Sequence, residues 1–205
     1  MKTLLTVRPY YDLTTHYLSY WCGSFIKQFK ESHNIVDLKD KRANKKEFTS
    51  VINKIQPLII IINGHGNDSV ITGQDNQLLI AVGINDELTK GRIIYAISCK
   101  SASKLGASCV KKGAIAFIGY KEDFIFVTTK EKETKPLDDK RASLFLEPSN
   151  RVMIALSKGY KPQEAHNQSK KHILKNIQDI ITKSPSEGYL VSYLLWNYQH
   201  QVCLE

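Results

Sequence analysis

Two apolar runs constrain this chain more than anything else in it. Pro57-Leu58-Ile59-Ile60-Ile61-Ile62 leads into Asn63-Gly64-His65-Gly66, and Arg92-Ile93-Ile94-Tyr95-Ala96-Ile97 leads into Ser98-Cys99. Neither run alternates between apolar and polar residues. Such β-branched runs read as strands buried on both faces, and hence as a parallel sheet covered by helices. In open sheets of this kind the working residues sit just beyond the carboxyl ends of the strands. The sequence therefore places an imidazole and a thiol at one edge of one sheet, which is the pair a cysteine nucleophile needs.

The rest of the chain alternates strand and helix. Leu4–Tyr10 reads as a strand. Thr14–Lys30 carries Tyr17, Leu18, Trp21, Phe25, Ile26 and Phe29 at helical spacing. Lys45–Ile55 is an amphipathic helix that Asn44 would cap. Residues 67–83, rich in Asn, Asp, Gly and Gln, suggest a hairpin excursion, and Asn85–Leu88 a short helix. Ser101–Lys112 reads as a helix closed by Gly113, followed by a buried strand over Ala114–Ile118 and a further extended stretch at Phe124–Val127. Helices over about Ala142–Lys158 and Pro162–Thr182 follow, and Tyr189–Tyr198 and Gln201–Leu204 close the chain. The fold class expected is α/β, a mostly parallel central sheet with helices on both faces.

Composition narrows the function classes. The chain has 205 residues, 42% hydrophobic and 24% charged, as for an ordinary single globular domain. No apolar run approaches the ~20 residues of a membrane helix. The opening Met1–Arg8 is too short and too soon polar for a signal peptide and reads as the start of the first strand. Cys22, Cys99, Cys109 and Cys203 form no CxxC pair and no metal-ligand spacing with the six histidines. A reduced, cytoplasmic protein without metal or cofactor is expected. The net charge of +9 comes mostly from scattered lysines, with clusters at Lys39–Lys46, Lys130–Arg141 and Lys170–Lys175. A nucleic-acid face would interleave arginines with aromatics, so neither specific nucleic-acid binding nor a membrane partner is expected.

On His65-Gly66, Ser98-Cys99 and the strand-like Ala114–Gly119 that follows, the chain resembles the caspase-like cysteine peptidases, the group of caspases, metacaspases, gingipains, clostripain, separase and the bacterial CHAT domains. Ile97-Ser98-Cys99-Lys100-Ser101-Ala102, followed by Gly113–Tyr120, is most similar to prokaryotic members. The resemblance runs over residues 1–127 by order of elements, with 143–205 as the family's smaller C-terminal portion and 128–142 as an exposed linker between them. It implies a caspase-like fold and a cysteine endopeptidase acting on protein or peptide substrates. Cys99 would be the nucleophile, His65 the base and then the acid, and the N–H groups of Gly66 and Cys99 the oxyanion hole. The Gln-Ala-Cys-x-Gly signature of true caspases is absent, so cleavage after Asp is not implied. Asp12, after the first strand, is the candidate for reading a substrate side chain, with Glu122 and Asp123 as competing acids. An acid there would select Arg or Lys before the scissile bond. No orienting carboxylate is visible for His65, and the resemblance implies a backbone carbonyl instead. The basic residues of 128–142 would make that linker a candidate for self-cleavage, and control by a partner protein is a further expectation.

Each assignment has a plainer alternative. Most free cysteines are small buried hydrophobes, but Cys99 is followed by polar residues. An imidazole beside it is expected to favour the thiolate. Cys22, Cys109 and Cys203 sit in apolar contexts and read as core. His16, His33, His166, His172 and His200 read as surface residues, and Asp12 could simply cap a helix. A catalytically idle caspase-like binding module is the alternative function. A flavodoxin-like or receiver-like domain finds no support, since Arg8-Pro9-Tyr10-Tyr11-Asp12 contains no glycine for a phosphate loop.

Overall fold

The computed structural model describes residues 3–205, so Met1 and Lys2 of the expected first strand lie outside the described residues. The chain begins with β1 (Thr3–Arg8), α1 (Leu13–Phe29), β2 (Asn34–Lys39), α2 (Lys45–Ile55) and β3 (Ile59–Asn63). A two-stranded excursion, β4 (Val70–Thr72) and β5 (Leu78–Ala81), precedes β6 (Ile93–Ile97), α3 (Lys104–Lys111) and β7 (Ala116–Tyr120). The chain ends with α4 (Lys140–Ser157), α5 (Pro162–Lys183), α6 (Leu190–His200) and β8 (Gln201–Leu204).

The central sheet has the order β2-β1-β3-β6-β7-β8. All pairings are parallel except β7 with β8. The two defining runs pair directly, from Ile59 against Ile93 to Asn63 against Ile97. Every residue of β3 is buried, which is why the run shows no alternation. The alternation lies instead in which layer each side chain joins. Leu4, Ile59, Ile61, Tyr95 and Ile97 pack on α1 and α4. Leu5, Val7, Ile60, Ile62, Ile94 and Ala96 pack on α2 and α3 on the other face. Two apolar layers with the sheet between them bury this architecture's largest apolar area, and each fully buried Ile or Leu contributes roughly 1.5–3 kcal/mol.

Chain order in this sheet creates a crevice. From β1 the chain moves outward to β2, then returns across β1 to β3 and proceeds through β6 to β7. The connections after β1 and β3 therefore leave in opposite directions. Ligand sites form at such a switch point. Four adjacent parallel strands, β1, β3, β6 and β7, deliver the loops that carry Asp12, His65, Cys99 and the Glu122-Asp123 pair.

Several local expectations shift by a turn or less. Asn44 caps α2, its side chain accepting from the Glu47 N–H at 3.0 Å. Ser101 and Ala102 belong to a buried turn, and α3 starts only at Lys104. Phe124–Val127 forms no strand, and Phe124 and Phe126 instead pack against the α1 layer as irregular chain. The histidine expectation fails at His166, which is 7% exposed and bonds the Gln201 carbonyl oxygen at 3.0 Å. The helical period of α5 turns that position inward toward β8. Cys203, read as core, is half-buried because β8 is the edge strand.

Residues 128–142 are mostly exposed yet fastened at defined points. Asp139 is completely buried. It accepts from the Tyr17 hydroxyl at 2.8 Å, the Thr129 N–H at 2.7 Å and the Arg141 N–H at 3.0 Å. Trp21 donates its indole N–H to the Pro136 carbonyl at 3.2 Å, and a His16 ring nitrogen lies 2.8 Å from the Glu133 carbonyl. Composition alone reads such a polar stretch as loose, because the few groups that anchor it are themselves polar. Among the described residues no helix is long and apolar enough to cross a membrane.

Candidate active site

Asp12 owes its position to the loop between β1 and α1. The bidentate pair of Arg8 with Asp37, at 2.8 and 2.6 Å, fixes the end of β1 to β2. Beyond it, Gln74 from the β4–β5 excursion clamps Tyr10, accepting its N–H at 2.9 Å and donating to its carbonyl at 3.3 Å. Asp12 then starts α1, with Oδ1 accepting from the Thr15 N–H and hydroxyl at 2.8 Å each. This is the reciprocal cap that Asp-x-x-Thr can make.

The second oxygen does something else. Oδ2 of Asp12 lies 2.6 Å from Nε2 of His65. Burial pushes the Asp12 carboxyl up, but the Thr15 N–H, His65 and the Thr15 hydroxyl together hold it below its ordinary value. An ionised carboxylate only accepts hydrogen bonds. Nε2 therefore donates to it, and Nδ1 is the ring nitrogen that this contact leaves free. The expected backbone orienter is thus replaced by a side-chain carboxylate, and both oxygens of the residue expected to read substrate are engaged inside the protein. The capping pattern Asp12-Leu13-Thr14-Thr15 was the visible signal. It says where the carboxylate sits, but not that its other oxygen faces the next loop.

His65 stands on a tightly constrained turn. The Thr72 N–H donates to its carbonyl at 2.9 Å, tying the turn to β4. A Cβ on Gly64 would come 2.6 Å from the Thr72 carbonyl oxygen. A Cβ on Gly66 would come 2.6 Å from the Val70 carbonyl oxygen and collide with Ser98 Oγ. Both glycines are therefore required by close packing of backbone on backbone, and the contact with Ser98 joins the His65 turn to the Cys99 strand end. Among the described residues, no acceptor pairs the N–H of Gly66 or of Cys99.

Cys99 lies two residues beyond the neighbouring strand, β6, in a turn, half-buried. Lys100 follows in the left-handed region, φ 56°, and its N–H donates to the Glu122 carbonyl at 3.1 Å. Cys99 and His65 line one cleft of about 400 Å³, together with Leu13, Thr14, Phe124, Ile125, Phe126 and Thr128. A second cleft of about 500 Å³ is bounded by Tyr11, Asp12, Gly66, Asn67, Thr72 and others. His65 lines both. The thiol is not primed for ionisation as expected. Burial pushes it up, the Phe124 N–H opposes this, and the nearby Asp123 carboxylate adds to the upward push. Burial also drives Cys22 and Cys203 to about 12 and Cys109 to about 11.

Glu122 and Asp123 lie beyond β7, on the Cys99 side. Lys100 Nζ sits 3.8 Å from the first and 3.9 Å from the second. All six residues expected at the site therefore meet at one sheet edge, with Asp12 in a different role. Gln74 and Asp139 contribute to the same region without any sequence signal. Among the described residues no group of three His, Cys, Asp or Glu side chains is arranged to hold a metal ion.

No protein-family model and no curated relative matches this sequence. Among solved structures, the chain is similar to one titled as the complex of the pro- and mature domains of RgpB from Porphyromonas gingivalis. The TM-score is 0.56 at 8% sequence identity, over 98% of this chain and 46% of that one. The chain thus spans just under half of the length of its structural neighbour. At that identity the likeness concerns architecture: the fold is caspase-like, a mostly parallel six-stranded sheet between helical layers.

Proposed function

We propose that this protein is a cysteine endopeptidase in which Cys99 attacks the peptide carbonyl and His65 moves the proton. The observation that carries this reading is the shared cleft of Cys99 and His65, with the imidazole held by an ionised Asp12 through the nitrogen it does not need. The Cys99 thiol, pushed up by burial, passes its proton to Nδ1 of His65 as its sulfur adds to the substrate carbonyl. A positioned general base of this kind is needed most where the thiol is not already ionised. The Gly66 and Cys99 N–H groups, unpaired among the described residues, would receive the oxyanion, whose stabilisation is worth roughly 3–4 kcal/mol per donor in comparable sites. His65 then returns its proton to the leaving amine, and water hydrolyses the thioester with the same base. The caspase-like fold supports the reading as far as architecture goes.

The test is hydrolysis of an unstructured protein substrate by wild type and by Cys99→Ala. Wild type is expected to cut it, and Cys99→Ala to lose at least 1,000-fold while keeping its circular dichroism spectrum. Equal rates in both would end the proposal. The alternative, a catalytically idle binding module, predicts equal rates in both.

A further inference from the structure

The cleft beside the reacting pair has a chemical character that the acids around it do not share. Apart from Cys99 and His65, its walls are Leu13, Thr14, Phe124, Ile125, Phe126 and Thr128. None of these carries a charge. Leu13 is 43% exposed although it stands in the first turn of α1, and Phe124 and Phe126 are only partly covered by the α1 layer. Apolar side chains facing an open cleft leave unfavourable surface in water, and an apolar ligand group removes it. The three acids expected to read a basic residue are occupied otherwise. Asp12 is shared between Thr15 and His65. Glu122 and Asp123 stand on Lys100, and neither lines this cleft.

From this we infer that the residue accepted before the scissile bond is a bulky apolar one, aromatic or branched aliphatic, seated against Leu13, Phe124 and Phe126. The inference rests on the peptidase reading above and names its substrate class. A cleft of about 400 Å³ has room for a phenylalanine or leucine side chain, and no carboxylate lines its walls to pair a cation, the nearest, Asp123, being turned to the Cys99 sulfur and Lys100. Burying an unpaired charge is unfavourable, whereas burying an apolar group of matching size is favourable.

Peptide acyloxymethyl ketones, which alkylate an active-site thiol only after their peptide side chain has docked, test this directly. A set differing only in that side chain (Phe, Leu, Arg, Lys, Asp) would be reacted with the full chain. Labelling of Cys99 would be followed by intact mass and peptide mapping. The Phe and Leu probes are expected to label Cys99 at least tenfold faster than Arg and Lys, and faster still than Asp. Arg or Lys labelling at an equal or higher rate would overturn the specificity while leaving the peptidase reading intact. Failure of every probe, with Cys99 still alkylated by iodoacetamide, would overturn both. Thr14→Asp supplies a second measurement. An acid in the first turn of α1 is compatible with the helix dipole, and it puts a carboxylate on the cleft wall. It should raise the Arg rate relative to Phe by at least tenfold. An unchanged ratio would mean that this cleft does not hold the side chain, and would overturn the assignment.

Discussion

At the scale of single residues, the site is organised by Asp12. Its carboxylate links the start of α1 to the imidazole two strands away in the chain, and fixes which ring nitrogen is free. Asp12→Asn keeps the cap, because an amide oxygen also accepts from the Thr15 N–H, but it removes the ionised partner of Nε2. Peptide hydrolysis is expected to fall by roughly 10- to 100-fold, mostly in kcat, with little loss of thermal stability. The pH dependence follows from the sign of the shift. Asp12 is held below its ordinary value of 3.8, so its stabilising contribution is complete above that value and is lost as pH falls through the folded-state value. Wild-type His65 should therefore keep its orientation down to about pH 4, and a steeper acid loss confined to Asp12→Asn would contradict this. Asp123 acts with opposite effect on Cys99, because its carboxylate disfavours the thiolate. Asp123→Asn is expected to lower the thiol's pKa and to raise its iodoacetamide alkylation rate at pH 7 by a few-fold, about the effect of removing one partly screened charge. Slower alkylation would show that the carboxylate does not face the sulfur.

At the scale of elements, the segment between β7 and α4 is the informative one. Thr128 lines the Cys99 cleft, and Glu133 and Thr134 line a groove beside Asp12 and His16. Asp139 holds this segment down. Its burial pushes the carboxyl up, but the Thr129 N–H, the Tyr17 hydroxyl and the Ala142 N–H outweigh that and hold it below its ordinary value. Asp139→Ala leaves the Tyr17 hydroxyl and the Thr129 N–H without their partner, at a cost of about 2–4 kcal/mol. A fall in Tm of several degrees is expected, with trypsin then cutting at Lys130 or Lys132 at least tenfold faster. Unchanged trypsin sensitivity would show that the segment does not depend on this anchor. The acids and lysines of 128–142 made it legible as surface, and most of it is surface. The anchor was not legible, since a buried Asp with five hydrogen bonds and a solvated Asp in a charged stretch look alike in sequence. The strands were legible for the opposite reason. Two-sided burial leaves an uninterrupted apolar run such as Ile59–Ile62, and its shortness, β-branched content and flanking Pro57 and Gly64 mark it as strand.

At the scale of the whole molecule, the strand order β2-β1-β3-β6-β7-β8 accounts for the site. It places the loops after β1, β3, β6 and β7 side by side and so gathers residues from positions 12, 65, 99 and 122–123. The order of chemistry-bearing residues along the chain was visible in the sequence, and so was the edge at which they gather. Which carboxylate would face which partner was not, because that depends on the rotation of α1 about its cap and on Gln74 docking across from another loop. Cys99 and His65 are expected to act as one unit, and a two-by-two kinetic cycle measures this. Hydrolysis rates of a peptide bearing a Phe before the scissile bond would be measured for wild type, Cys99→Ala, His65→Ala and the double variant. Residues that act together are grossly non-additive, so the double variant should be no slower than Cys99→Ala alone, both at least 1,000-fold below wild type. A double variant whose loss equals the product of the two single losses, or a Cys99→Ala protein that retains most of the wild-type rate, would contradict it.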